Sequence, residues 1–545
     1  MVDVSVIIPA RNEQFLMPTI EDLVRNARSE IEVIAVLEGY WPDEMVDDPH
    51  VHYIHNGTPR GMRGAINQGA ALAKGKYLMK CDAHCAFSEG FDEALMADCE
   101  EDWIAVPRRW SLNPEEWRPR EKSPVDYLYL CFPDNPNDRG GPTLHGRVWG
   151  QKNNDPALRD VMVDDLMSAQ GSCYFMHRDY FHRLELLDEE SYGSFSNEFQ
   201  EVGLKCWLSG GRVVRNKNCW YAHLHKGRKY GRGWPLGKGA VDQAARMTNR
   251  WMPGRNWRGQ DRDIRWLVHK FWPVPGWSEE SVRLVFNRRR GGSGDVRGEQ
   301  VARHFKARLN LNEPAEDWHY PFDVHVWVKQ EPRHLEWPGK HYLDVMDAAE
   351  RGPWLREHPE CGIVTTSLSG KEWLAERLGR DDIVWIKMHH CNLGRFQRTR
   401  GDEFSVAGVC GGPGAIQCDM DELEALLAEH HLSWAWYQDY KGPEDITQFY
   451  QRIDVQIVWR SRTANRPLKD PEKLVNAMSL GVPTVAYPEV AYKELDGYYW
   501  PARNFEELAA ALDELRGGFD RQRLLDKAEE YHIENAARGY KELLL

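Results

Sequence analysis

Apolar positions early in the chain fall into short continuous runs separated by segments of helical period. "VSVIIPA" (4–10) is such a run, as expected of a strand buried on both faces. "IEVIAVLEG" (31–39) and "GKYLMKCDAH" (75–84) repeat the theme. Between them, "RGAINQGAALAKG" (63–75) places Ala, Ile and Leu at helical spacing and closes at Gly75, a position suited to a C-cap. Strands alternating with helices predict βαβ units, a mainly parallel sheet and an α/β fold. Ligands of such sheets bind at the carboxyl ends of the strands.

The pattern changes at "NRRRGGSGDVRGEQVARHFKARLNLNEP" (287–314), whose Gly and Arg content reads as a linker with some helix. Strand patterns return in "FDVHVWVK" (322–329), "CGIVTTSLS" (361–369), "DIVWIKM" (382–388), "FSVAGVC" (404–410), "DVQIVW" (454–459) and "VPTVAYP" (482–488). Helical patterns separate several of them, notably "DMDELEALLAEHH" (419–431) and "DPEKLVNAMSLG" (470–481). The expected organisation is a first α/β domain at 1–285, a basic linker at 286–315 and a second α/β domain at 316–545, which suits a chain of 545 residues.

Composition narrows the class. Hydrophobic content of 42% with 28% charged residues fits a globular protein, and no apolar run approaches the ~20 residues of a membrane helix. The start "MVDVSVIIPARNE" lacks the basic and apolar regions of a signal peptide. Eleven scattered cysteines without C-x-x-C pairs suggest reduced thiols. A cytoplasmic protein without membrane insertion is expected, in the host cytoplasm if it is viral. The net charge of −14 hides a strong asymmetry, because residues 205–308 hold 24 Lys and Arg against 7 Asp and Glu. Eight of the 23 tryptophans lie there too, so a face that meets something anionic is expected.

Candidate chemistry centres on "KCDAHC" (80–85), where the buried run ends. Positions two apart on a strand point the same way, so Asp82 and His84 converge. A carboxylate and an imidazole at one point suit a metal ion or a proton-transfer pair; a polar loop with a hydrogen-bonded histidine gives the same pattern.

Four segments in order resemble a GT-A glycosyltransferase of family 2. They are "VSVIIPARNE", "IEVIAVLEG", "TPRGMRGAINQGAALAKGKYLMKCDAH" and "NEFQEVGLKCWLSGGRVV" (197–214). The resemblance implies a nucleotide-diphosphate sugar as donor. It places Pro9, Ala10, Arg11, Glu13, Glu38, Arg60, Arg63, Asn67 and Asp82 at that donor. The family's Asp-x-Asp is Asp82-Ala83-His84 here, which is similar to the polypeptide N-acetylgalactosaminyltransferases. In those a later histidine completes the metal site, and the matching position is His223, with His225 as competitor. A divalent ion there neutralises charge on a leaving diphosphate. Mn²⁺ suits mixed carboxylate and imidazole ligands better than Mg²⁺.

Two departures stand out. The catalytic Glu-Asp pair of inverting family 2 enzymes becomes Glu198-Phe199, which leaves Glu198 or Glu201 as base, or a retaining reaction without one. The second domain resembles, more loosely, the nucleotide-binding half of GT-B glycosyltransferases through "DPEKLVNAMSLGVPTVAYP" (470–488), with Lys473 as phosphate contact and Asn476 in place of the usual glutamate. The expected function is metal-dependent transfer of a hexosyl or N-acetylhexosaminyl group to a hydroxyl of a saccharide or polypeptide, with a second activity conceivable in the C-terminal domain. Interleaved cations and aromatics in 205–308 also suit nucleic acid, such as hydroxymethylated bases of viral DNA. A non-catalytic sugar-nucleotide or glycan-binding protein is the third reading.

Overall fold

The computed structural model describes the chain except residues 1, 134–142, 232–237, 253–256, 289–291, 312–323, 347–351, 399, 402 and 440. It divides into two compact units, one running to Trp277 and the other starting at Ser278. Both are α/β.

The first unit is built on a ten-stranded sheet. Strand β1 (Val4–Ala10) lies between β2 (Ile31–Glu38) and β4 (Tyr77–Cys81), parallel to both, and β3 (Val51–Asn56) extends the parallel part beyond β2. This central position explains why β1 is apolar on both faces. Helix α1 (Leu16–Asn26) follows β1, and α2 (Met62–Leu72) precedes β4. The buried face of α2 comprises Arg63, Ala65, Ile66, Gly69 and Ala70, a helical stripe that includes one cation. Gly75 is not the C-cap of α2; that position is Ala73. A side chain at Gly75 would put Cβ 2.5 Å from the Ser5 backbone nitrogen, so close approach to β1 is what demands glycine there.

Beyond β4 the sheet turns antiparallel through Cys173–His177, which also pairs with β6 (Trp103–Asn113). The long strand Arg212–His223 runs parallel to β6, with an irregularity between Asn216 and Trp220. Its last residues pair with the short β5 (Cys85–Phe87), setting His223 opposite Cys85. That pairing carries a residue 139 positions later in the chain to His84.

The second unit contains two all-parallel sheets. The six-stranded one runs in the order Arg308–Leu311, Leu284–Arg288, Val324–Val328, Lys340–Val345, Gly362–Thr365 and Ile383–Trp385. The five-stranded one runs Ser433–Tyr437, Val406–Cys410, Val455–Val458, Thr484–Ala486 and Trp500–Pro501. The chain end then returns to the six-stranded sheet, where Ile533, Ala537, Tyr540 and Leu543 share a core with Leu284, Phe286 and Val326.

The stretch expected as a linker is part of this unit. Its described residues form two neighbouring strands of the six-stranded sheet with helical turns between them. Arginine content suggested solvent, but Arg288 pairs with Asp295 and Glu299, and the fully buried Arg297 with Asp344. Composition cannot show such pairing.

Candidate active site

The end of β4 and the end of the strand Arg212–His223 bring three side chains to one point. His223 Nε2 lies 3.2 Å from His84 Nε2 and 3.3 Å from Asp82 Oδ2, and His84 Nε2 lies 3.8 Å from Asp82 Oδ2. Ligands at ~2.1 Å from one cation stand roughly 3.0–3.4 Å apart at octahedral or tetrahedral angles. Both separations from His223 fall in that range and the His84–Asp82 separation exceeds it by about 0.4 Å, a gap that a small rotation of either side chain closes, and Asp82, His84 and His223 are the potential metal-binding group among the described residues. Two imidazole nitrogens facing each other at this distance gain at most one hydrogen bond between them, whereas both can donate electron pairs to a cation.

Electrostatics keep the group in ligating form. Burial penalises the charge of His223 and lowers its pKa to about 3, so the ring is neutral at physiological pH. Burial alone would raise Asp82, but the Lys80 ammonium and the hydrogen bond from His223 hold it well below the usual carboxylate range. Glu13 behaves alike, with His84 and Lys226 overcoming its burial. His84 Nδ1 lies 3.3 Å from Glu13 Oε2, and Lys226 is ion-paired to the same carboxylate.

Lys80 ties this group to Glu198. Its Nζ, fully buried, donates to Asp82 Oδ1 at 2.7 Å, to the Gly171 carbonyl at 2.5 Å and to Glu198 Oε2 at 3.2 Å. Glu198 opens the helix Glu198–Leu208. Burial raises its pKa despite the nearby Lys80 charge. Its other oxygen, Oε1, is buried, and the buried Tyr174 hydroxyl is a further hydrogen-bonding neighbour of this carboxyl. Residue 171 must be glycine for this approach, since a Cβ there would stand 2.8 Å from Glu198 Oε2.

These residues line a cavity of about 900 Å³, in the size range of small-molecule sites. Pro9, Ala10, Arg11, Glu13, Glu38, Asp82, His84, Glu198, Phe199 and His223 all face it. Glu38 is buried, accepting the backbone N–H groups of Arg60 and Gly61 at 2.5 and 2.7 Å, which folds the loop before α2 against the end of β2. His225 faces the cavity as well, but stands outside the three-ligand group and meets Arg109 at 3.2 Å.

Residues 5–184 match the family model of glycosyl transferase family 2. The first unit thus carries a family 2 glycosyltransferase domain. Among solved structures, GalNAc-T7 with UDP, GalNAc and Mn²⁺ is similar at 18% identity over 45% of this chain and 47% of that chain, with a TM-score of 0.36. S. aureus TarS is similar at 13% identity over 41% of this chain and 37% of that one, with a TM-score of 0.27. Its 1–349 fragment in complex with UDP-GlcNAc gives 13% identity, coverages of 40% and 58%, and a TM-score of 0.27. The chain spans about half the length of GalNAc-T7. No curated protein matches it.

Four residues expected at the site of this glycosyltransferase domain are engaged elsewhere. Arg63 lies on the buried face of α2, is wholly enclosed, pairs with Glu201 and donates to the Ser196 carbonyl at 2.9 Å. Glu201 is equally enclosed, accepting also from Lys205 and the Asp188 backbone, so it cannot reach a substrate as base. Helical spacing put 198 and 201 on neighbouring faces, and only the first faces the cavity. Asn67 is held by the Leu187 carbonyl and Glu189 at 2.8 and 3.0 Å, and the Arg60 guanidinium points to Glu189 at 3.7 Å. None of these four lines the cavity.

In the second unit, Lys473 Nζ donates to the Cys410 carbonyl at 2.6 Å, and burial with the Arg460 charge lowers its pKa. Asn476 accepts from the Cys391 backbone at 2.7 Å. Both therefore serve the local fold.

The basic, tryptophan-rich segment is not one surface. Arg215 is buried, donating to the Asp126 and Val106 carbonyls at 2.7 and 3.2 Å, and Lys217 reaches the Leu158 carbonyl at 2.6 Å. Trp207, Trp251 and Trp277 are buried with their indole N–H groups bonded to the Leu166 carbonyl, Tyr192 Oη and the Leu130 carbonyl. Positions 232–237 and 253–256 lie outside the described residues. Of the described residues of this segment, only those near 223–231 face the cavity. Sequence reasoning missed Lys80, Arg109 and Lys226. Lys80 had a visible signal, a lysine inside an otherwise buried strand.

Proposed function

We propose that the first unit is a metal-dependent transferase moving a sugar from a nucleotide-diphosphate donor to a hydroxyl acceptor. The observation that carries this reading is the convergence of Asp82, His84 and His223 with Glu198 in the lining of one cavity. A divalent cation held by the three ligands, Mn²⁺ by the chemistry of the donor set, supplies charge neutralisation for the leaving diphosphate. Pro9, Ala10, Arg11 and Glu38, at the ends of β1 and β2, bind the nucleotide. The Glu198 carboxylate takes the proton of the acceptor hydroxyl as its oxygen bonds to the anomeric carbon and the bond to the diphosphate breaks. Lys80 holds that carboxylate in place. A single displacement of this kind inverts the anomeric centre, and Phe199 takes no part in it.

The second unit, with two parallel sheets and a returning chain end, we read as GT-B-like. Transfer to a saccharide or polypeptide is favoured over transfer to nucleic acid, because Arg215, Lys217, Trp207, Trp251 and Trp277 of 205–308 are consumed in packing.

The test is release of nucleoside diphosphate from a panel of sugar nucleotides, with Mn²⁺ and with chelator. Turnover should need the metal and fall at least about 100-fold in Asp82→Ala and Glu198→Gln. Equal turnover by a folded Asp82→Ala protein in chelator would end the reading. Absence of turnover with every donor and acceptor would favour a sugar-nucleotide-binding protein.

A further inference from the structure

Glu13 lines the cavity, yet both of its carboxylate oxygens are engaged within the chain. It lies on the loop between β1 and α1, and its side chain is only 7% exposed. Oε1 accepts the Phe15 backbone N–H at 3.4 Å, at the start of α1. Oε2 meets two groups from distant segments, His84 Nδ1 at 3.3 Å and the Lys226 ammonium. Helix α1 sets this placement. Thr19 Oγ1 accepts the Cys85 backbone N–H at 3.1 Å, and Asp22 Oδ2 accepts that of Phe87 at 2.6 Å. The helix thereby fixes the segment that carries His84 against the loop that carries Glu13.

The two ring nitrogens of His84 face different groups. Nε2 lies 3.2 Å from His223 Nε2 and 3.8 Å from Asp82 Oδ2, whereas Nδ1 lies beside Glu13. A neutral imidazole has its one proton on one nitrogen, and an ionised carboxylate can only accept. Glu13 therefore favours the tautomer protonated on Nδ1, which leaves the Nε2 lone pair aimed at the point shared with Asp82 and His223. A carboxylate behind a ligating imidazole also fixes the rotation of the ring and raises its basicity as a ligand.

We propose that Glu13 is a positioning residue of the metal group, acting through His84 by selecting its tautomer and ring orientation. This rests on the metal group of the transferase reading. The competing role for Glu13 is an ion pair with Lys226 that only ties two loops together.

Two measurements on the full-length protein separate these roles. With ¹⁵N-labelled histidine in chelator, the His84 ring signals, assigned by their loss in His84→Gln, should report a protonated Nδ1 and an unprotonated Nε2. This readout needs neither turnover nor a variant of Glu13. Calorimetric titration with Mn²⁺ alone should show about 10–100-fold weaker binding in Glu13→Ala, the effect of losing a partner behind a ligand. Glu13→Gln keeps an acceptor for Nδ1–H and loses only the charge, so it should fall between Glu13→Ala and the parent. Lys226→Met should stay within about threefold of the parent, because the contact to His84 remains. A His84 ring protonated on Nε2 would overturn the proposal. So would equal losses in E13Q, E13A and K226M, the pattern of a plain ion pair, or unchanged affinity in E13A. Failure of the transferase reading shows separately, as no metal-dependent diphosphate release from any donor.

Discussion

Replacing Lys80 with methionine keeps the length of the side chain but removes the ammonium that Asp82 and Glu198 share. The two contacts are 2.7 and 3.2 Å long. At an effective dielectric of ~20, each represents about 5–6 kcal/mol of Coulomb energy before desolvation is subtracted. Removing one partner of a buried pair costs about 3–5 kcal/mol net. Asp82 is 29% exposed and Glu198 only 7%, so most of the loss falls on Glu198. Lys80→Met should therefore lose about 3–5 kcal/mol at pH 7, but clearly less in a Glu198→Gln background, with a coupling of at least ~1.5 kcal/mol. Urea denaturation of the four proteins in chelator measures this. The pH dependence has a defined sign. A buried carboxylate with raised pKa contributes stability that is complete below its unfolded value and lost as pH rises. Without Lys80 that loss deepens, so the deficit of Lys80→Met should shrink toward pH 4. Identical costs in both backgrounds at every pH would refute the claim that Lys80 neutralises Glu198.

His223 predicts an acid-side slope. Its folded pKa of about 3 lies below its ordinary value, so the unfolded chain binds the proton first. Stability should fall progressively from about pH 6.5 toward pH 3, and denaturation of His223→Asn should show a shallower dependence over that window. Arg63→Met removes one half of a fully enclosed ion pair and should cost about 3–5 kcal/mol by urea denaturation. Its KM for donor should stay within about twofold of the parent, and a tenfold rise would return Arg63 to the donor site. Mn²⁺ titration should show at least about tenfold weaker binding in His84→Ala and His223→Ala, whereas unchanged affinity in either would remove that residue from the ligand set.

Short-range pattern made much of the first unit legible. β1 and β2 follow from apolar runs that only a doubly covered strand tolerates, whereas Asp82 and His84, expected to converge by strand alternation, meet instead across the bend between Tyr77–Cys81 and Cys85–Phe87. The second unit showed its strands but not its extent. Leu284–Arg288 and Arg308–Leu311 hide among arginines whose partners, such as Asp344, are distant in sequence. Residue type alone could not separate Arg63 and Glu201, which neutralise each other in the interior, from Glu198 three positions earlier, which meets the cavity. Nor could it tell that Trp207 and Trp277 would be buried. Local sequence determines which segments become strands and which side chains share a face. Tertiary structure decided which charged and ligating groups meet: His223 with His84 across 139 residues, and Lys80 with Glu198 across 118. Desolvation makes pairing decisive for every buried charge, and pairing is a property of the folded chain.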